Sequence, residues 1–257
     1  GTLTYTPTAG TGLDAGAGQV VSVDFVPDAA DNWNSVLDTT VTIDVAKADQ
    51  AITFANPGDR IYTDSFTLTA TGGDSGESVT FAVTAGPAEI DGANGVTFTG
   101  VGEVTITAAQ AGDANYTAAP DAPPTFSVAK ATLTVTPDAG QSKVFGQADP
   151  VFAYSHSGEV EGQTPSFTGA LTRDAGEDTG AYPITAGTLA LADNAPFLAA
   201  NYDLSFAGGV LFEIAPKPAD VLTVADIASF TYDGTAHTPR PEVKDGEIVL
   251  TKDTDYT

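Results

Sequence analysis

From its first residues the chain alternates apolar with hydroxyl or acidic side chains. Leu3-Thr4-Tyr5-Thr6, Val21-Ser22-Val23-Asp24-Phe25 and Val41-Thr42-Ile43-Asp44-Val45 open the pattern. Phe66 to Ala70, Val79 to Val83, Val104 to Thr107, Leu133 to Val135 and Tyr202 to Phe206 continue it. A period of two puts Val, Ile, Leu and Phe on one side of an extended chain and Thr, Ser or Asp on the other. That is the pattern of antiparallel strands with one wet face, and β-branched Thr suits it far better than a helix. No window of eleven residues or more carries a helical apolar stripe. The turn formers between the runs are Gly72-Gly73-Asp74, Asp91-Gly92, Asn94-Gly95, Asp233-Gly234 and Asp245-Gly246. The expected fold is all-β, built of antiparallel sandwiches.

Composition narrows the function. The 257 residues carry 34 acids against nine bases, a formal charge of −25, and 25 of the acids are Asp. Such a surface repels phosphate backbones and anionic lipid, which excludes nucleic acid as a partner and a polybasic membrane role. With no Cys there are no disulfides, thiolate metal sites or Cys nucleophiles. The longest apolar runs, such as Ala195 to Ala200, suit one strand and are too short to insert in a membrane.

Three marks recur in one register. VTIDVAK (Val41 to Lys47), FSVAK (Phe126 to Lys130) and FEIAPK (Phe212 to Lys217) end in lysines 83 and 87 residues apart. An Asn-aromatic pair precedes each: Asn32-Trp33, Asn115-Tyr116 and Asn201-Tyr202, with Asn 15, 15 and 16 residues before its Lys. A second aromatic follows each Lys by 15 residues: Tyr62, Phe145 and Tyr232. A period near 85 residues is that of a tandem Ig-like array, beads on a string. The boundaries it predicts are 1–47, 48–130, 131–217 and 218–257, with the lysines in the linkers. Base rates for patterned aromatics put the residue after Asn, Trp33 included, at the end of a sandwich core.

Residues 131–216 resemble a bacterial Ig-like domain of the MBG group. The residues that carry the likeness begin with Lys143-Val144-Phe145-Gly146, Asp149-Pro150 and Phe152-Ala153-Tyr154-Ser155. Gly169 to Arg173, Gly176-Glu177, Gly180 to Ile184, Gly187 to Leu189, Asn201 to Phe206 and Gly208-Gly209 follow. Phe145 stands where Tyr is commoner, an exchange expected to be harmless in a core. Residues 218–257, with Phe230 to Gly234, Pro239 and Asp253 to Tyr256, are similar to the opening half of a YDG-type repeat, and residues 48–130 to an Ig-like repeat found beside these. The resemblance implies tandem sandwiches of long secreted or surface-attached bacterial proteins, often adhesin-like, with no catalytic residues to carry over.

The outer segments each measure about half a domain, 1–47 a closing half and 218–257 an opening half, together 87 residues. Two readings follow: an excerpt of a longer chain, or a split sandwich completed head-to-tail between neighbouring copies.

Chemistry is thinly represented. His156 and His237 lie in polar loops with no G-x-S-x-G elbow, so they read as surface histidines. Among 34 acids, close carboxylate pairs arise without purpose. Calcium is the one cofactor considered, through Asp28 with Asp31 and Asn32, Asp113 with Asn115, and Asp193 with Asn194. Asp49 and Asp220 lie near linkers, but each linker also holds a Lys and the one at Lys130 has no acid. A Lys–Asn isopeptide bond lacks a visible nearby acid. The sequon Asn115-Tyr116-Thr117 falls on a repeat mark, so coincidence explains it. The sequence thus nominates no catalytic, cofactor or metal residue. It points to a non-catalytic, extracellular or cell-surface spacer of an adhesin or filament. The alternative is a carbohydrate- or cell-binding module of an adhesin or a secreted polysaccharide-degrading enzyme.

Overall fold

The computed structural model describes residues 1–218, 222–225, 229–236 and 241–251. Among them every regular element is a strand, apart from one 3-10 turn at Ala199–Asn201. His237, Asp220, Pro239 and Asp253 to Tyr256 lie outside the described residues. The chain divides into two compact units, Gly1–Ala131 with Ala200–Asp203, and Thr132–Ala199 with Leu204–Thr257.

The first three strands are β1 (Thr2–Thr6), β2 (Gly16–Val26) and β3 (Val36–Val45), an antiparallel sheet in that order. Leu3 lies opposite Phe25, Tyr5 opposite Val23 and Val21 opposite Val41. The period-two pattern therefore gathers its apolar residues on one face. Yet Leu3, Tyr5, Phe25, Val41 and Ile43 are all exposed, because no second sheet of the described residues lies over them. A hollow of about 390 Å³ on this face is lined by Tyr5, Leu13, Val21, Val23 and Val41, among others.

Residues 60–129 show what a covered face looks like. The strands are β4 (Arg60–Ile61), β5 (Phe66–Thr67), β6 (Val79–Ala85), β7 (Ala88–Ile90), β8 (Gly95–Phe98), β9 (Gly102–Gln110) and β10 (Thr125–Ala129). One sheet runs β4-β10-β9-β6 and the other β5-β8-β7. Along β9 the alternation buries Val104, Ile106 and Ala108 completely. Phe66, Phe98 and Phe126 meet one another with ring centroids 6.2–6.3 Å apart. Gln50 and Gln110 are buried among them and satisfied. Gln110 accepts from Gly73 N–H at 2.7 Å and donates to the Glu77 carbonyl at 2.7 Å, while Gln50 donates to the Thr117 carbonyl at 2.8 Å. A Cβ on Gly73 would fall 2.7 Å from the Gln50 side chain. The Gly72-Gly73 pair thus serves close approach to these amides as well as chain reversal.

Residues 131–215 repeat the plan. The strands are β11 (Ala131–Pro137), β12 (Ser142–Val144), β13 (Tyr154–Ser157), β14 (Ser166–Thr168), β15 (Thr172–Arg173), β16 (Gly180–Thr185), β17 (Ala190–Ala192), β18 (Tyr202–Phe206) and β19 (Leu211–Ala215). They form sheets β13-β11-β18, β12-β19-β16-β15 and β14-β17. Val135, Phe152, Leu171, Ile184, Leu189, Phe212 and Ile214 make the core. Ala195 to Ala200 is no strand: a bridge between Asn194 and Phe197 closes a tight reversal there and buries Phe197. Three further strands, β20 (Leu222–Val224), β21 (Val243–Asp245) and β22 (Ile248–Leu250), form an antiparallel sheet in chain order.

Pairing is not wholly antiparallel. β4 lies parallel to β10, with Arg60 beside Val128, and β12 lies parallel to β19, with Lys143 beside Ile214. In both segments an early short strand is thus laid along the closing one.

The aromatic marks divide by burial. Tyr202 is 2% exposed and Tyr62 is also buried, the two rings meeting edge to face at 5.4 Å. Trp33 is 69% exposed, against the expectation of a core position. It lies between β2 and β3 of the uncovered sheet, which has no core among the described residues for it to enter. Phe145 is 43% exposed, so the Tyr-to-Phe exchange is a surface one rather than a core one.

Candidate functional site

The acids weighed for calcium are dispersed over the chain. No group of three or more His, Cys, Asp or Glu among the described residues could hold a metal ion. Three of the four acids in the calcium clusters have other work. Asp28 pairs with the Gly1 amino group, Asp113 accepts from the Asn115 and Tyr116 N–H groups, and Asp193 accepts from Ala199 N–H. Asp49 accepts from the Thr117 hydroxyl. His156 is exposed, with Nδ1 3.3 Å from Glu159. Asn115 is half-buried and held by Ala15 N–H and Asp14, so its sequon is occupied by structure. The linker lysines are tethered, Lys47 to the Asp113 carbonyl, Lys130 to Asp203 and Lys217 to Asp245. Asp203 supplies the acid that the Lys130 linker lacks in sequence.

Among the described residues, the one concentrated group of ionisable side chains comes from residues quoted above only as family marks: Lys143, Asp149, Arg173 and Glu177. Lys143 stands on β12 and Arg173 on β15, the two outer strands of one four-stranded sheet. Their side chains cross the sheet face toward each other. The Arg173 guanidinium lies 5.0 Å from the Tyr182 ring centroid and 5.5 Å from that of Phe212, on the two strands between. The acids meet both cations. Lys143 Nζ is 2.7 Å from Asp149 and 2.5 Å from Glu177.

All five N–H donors of Arg173 have acceptors. Nε and Nη2 grip Asp149 at 2.7 and 2.9 Å, and Nη2 also reaches Glu177 at 2.8 Å. Nη1 donates to the carbonyls of Asp174 at 3.0 Å and Gly176 at 2.5 Å. Gly176 has φ +147, and a Cβ there would lie 2.2 Å from the Tyr182 ring, so only glycine lets the turn close on the guanidinium. Tyr182 is pinned in turn by its hydroxyl, which donates to the Asp178 carbonyl at 2.9 Å. A cavity of about 620 Å³ opens beside this turn, with Asp149, Phe152, Leu171, Arg173 and Glu177 in its wall.

Electrostatics follow from the pairing. Hydrogen bonds from Arg173, then Lys143, hold the Asp149 carboxyl below its ordinary value, and those from Lys143, then Arg173, do the same for Glu177. Asp149 and then Glu177 raise the Lys143 ammonium, and Asp149 then Glu177 raise Arg173. Two cations and two anions cancel, so the cluster offers a ligand no net charge. The acids that isopeptide chemistry would need do surround Lys143, but they keep its amine protonated and hence non-nucleophilic. The arrangement can clamp; it holds no free nucleophile or base.

Fold and cluster together define a β-sandwich repeat protein whose best-organised charged group ties the outer strands of one sheet. Residues 133–212 match the family model of the MBG domain (YGX type). Lys143, Asp149, Arg173 and Glu177 all fall inside that match. No curated protein matches the chain. Among solved structures, the crystal structure of Drosophila N-cadherin EC1-4 is similar at 14% identity and a TM-score of 0.25, over 80% of this chain and 59% of that one. The chain therefore corresponds to less than two thirds of that structure, and the superposition is too loose to place residues by it. No helix among the described residues is long and apolar enough to cross a membrane.

Proposed function

We propose that this chain is a non-catalytic, extracellular spacer segment of a bacterial surface adhesin or filament, built of tandem Ig-like sandwiches. The observation that carries this reading is the parallel pair present in both central segments. In each, a strand near the start of the repeat lies alongside the strand that ends it, β4 on β10 and β12 on β19. Tension applied through the chain at both sides of such a repeat loads these hydrogen bonds in shear, all together, rather than opening them one at a time. The ionic cluster adds to this, because it joins β12 to the far edge of the same sheet. Stretching single molecules tests the reading. Each central repeat is expected to resist as a unit and then release about 280 Å of contour, the extended length of some 85 residues. Smooth extension without unit steps would overturn it.

Trp33 favours a second reading, a carbohydrate- or cell-binding module. An exposed indole is a common platform for sugar rings, and this one is 69% exposed. Binding on a glycan array that disappears in Trp33→Ala, with the melting curve unchanged, would support it.

A further inference from the structure

We infer that the exposed apolar face and outer edge of the β1–β3 sheet receive β20, Phe230 to Tyr232, β21 and β22 of a second copy of this chain, completing a sandwich between the two. This deepens the spacer reading above and rests on it.

The internal comparison of repeats supplies the register. In residues 48–130 the pair 13 and 14 residues after a linker Lys, Arg60 and Ile61, lies parallel to Val128 and Ala129, and Tyr62 N–H donates to the Ala129 carbonyl at 2.9 Å. In residues 131–217 the pair at the same offsets, Lys143 and Val144, lies parallel to Ile214 and Ala215, and Phe145 N–H donates to the Ala215 carbonyl at 2.8 Å. β3 ends on the matching closing residue Val45, with Ala46 next, but among the described residues it forms the edge of its sheet with no parallel strand. After Lys217 the same offsets fall on Phe230 and Thr231, followed by Tyr232, and these three lie in no strand. The predicted pairing sets Phe230 beside Val45 and Thr231 beside Ala46, with Tyr232 N–H donating to the Ala46 carbonyl. A hollow of about 340 Å³ lined by Gly16, Asp44, Val45 and Ala46 already lies along this edge.

The apolar surfaces agree with that register. On the receiving side Leu3, Tyr5, Phe25, Val41 and Ile43 are exposed, whereas β9 and β10 bury Val104, Ile106, Phe126 and Val128. On the inserting side Val224, Phe230, Ile248 and Val249 are exposed. The aromatic marks give an independent check. At the one junction where both marks are present, the ring after a Lys (Tyr62) meets the ring after the Asn of the following repeat (Tyr202). Completion between copies would repeat this twice, setting Phe145 of one copy against Trp33 of the other and Tyr232 against Tyr116. Three of those rings are the ones burial leaves out: Trp33 at 69%, Phe145 at 43% and Tyr232 at 90% exposed. Each copy would offer both a receiving and an inserting half, a head-to-tail contact that propagates into a filament.

The chain has one Trp and no Cys, which makes the test direct. Trp33 emission is expected to shift to the blue as concentration rises, in step with sedimentation as multiples of 26.0 kDa. Phe145→Ala should abolish the shift while sedimentation still shows association. Val41→Asp, which would place a carboxylate in the closed apolar face, should weaken association by roughly a hundredfold or more. Oxidising the double variant Ala46→Cys, Thr231→Cys should give a ladder of covalent oligomers, where either single variant stops at dimer. A 26.0 kDa species at every concentration, or a ladder that persists unchanged in Val41→Asp, would overturn the inference. Unit-wise unfolding of the central repeats in that same chain would leave the spacer reading standing.

Discussion

Arg173 and Asp149 meet fork to fork, Nε on Oδ2 at 2.7 Å and Nη2 on Oδ1 at 2.9 Å, on the inward face of a β-sheet. The guanidinium side chain is only 4% exposed, so its charge depends on these acceptors rather than on water. Arg173→Lys keeps the charge but loses the two-pronged grip and the carbonyl contacts to Asp174 and Gly176. Thermal melting should show the transition of the 131–217 segment falling by roughly 10 °C, since a buried cation left short of partners is costly. Asp149→Asn should produce a similar fall, and the two changes together should cost much less than their sum. Additive losses would mean that the pair is not a coupled unit.

The pH dependence has a definite sign. Asp149 and Glu177 are held below their ordinary values, so the stability they contribute is present above the usual carboxylate range and lost as pH falls through their folded values. Lys143 is held above 10.5, so its contribution is complete below that value and lost as pH rises through the folded one. The segment should therefore keep a flat stability between about pH 5 and pH 10 and weaken on both sides. Urea titration at a series of pH values measures this. The comparison is with Asp149→Asn, whose acid limb should be shallower; identical limbs would refute the assignment.

Gly176→Ala offers a steric test. Its Cβ would meet the Tyr182 ring at 2.2 Å, in a backbone conformation that side chains rarely adopt. Gly140, with φ +77 and open space around it, is the control for backbone strain alone. Alanine at 140 should cost about 1 kcal/mol and alanine at 176 about 3 kcal/mol or more. Equal losses would show that Tyr182 moves aside freely.

The strand pattern was legible because a period of two survives in any residue that faces a core: Val104, Ile106 and Ala108 on β9 are buried as their alternation requires. Burial of a whole sheet was not legible. β2 and β3 alternate as cleanly as β9 does, and only the missing cover makes Val41 and Trp33 exposed. The cluster escaped for a different reason. Lys143, Asp149, Arg173 and Glu177 are spread over 35 residues and meet only because the sheet sets β12 and β15 at its two edges. Their spacing matches no local motif. The signal that existed was the run of family marks itself, since Lys143, Asp149, Arg173 and Gly176-Glu177 were all among them. The parallel pairs were equally hidden, because Arg60 and Val128 are joined only through the closed fold.

Buried amides give a further prediction. Gln110 accepts from Gly73 N–H and donates to the Glu77 carbonyl, bracing the loop between β5 and β6. Gln110→Leu keeps the volume and removes both bonds, leaving a buried N–H and a carbonyl without their partner. A loss of about 1–3 kcal/mol is expected, with hydrogen exchange of the Gly73 amide accelerated before global unfolding. Protection of that amide in the variant would mean that the loop finds another acceptor.

Salt should raise stability, and the charge pattern says why. With 34 acids and nine bases, most carboxylates have no cation to meet, so the folded chain carries a net self-repulsion that ions can screen. Screening shortens from about 10 Å at 0.1 M to about 3 Å at 1 M. That range spans the distances between neighbouring surface acids, but it barely touches close contacts such as Arg173 with Asp149. The repulsion should therefore fade faster than the attraction, and the melting temperature should climb by several degrees between low salt and 1 M sodium chloride. Sodium sulfate strengthens apolar burial in any fold, so chloride is the discriminating salt. A melting temperature that stays flat or falls in chloride would show that the acids are spaced widely enough to ignore one another.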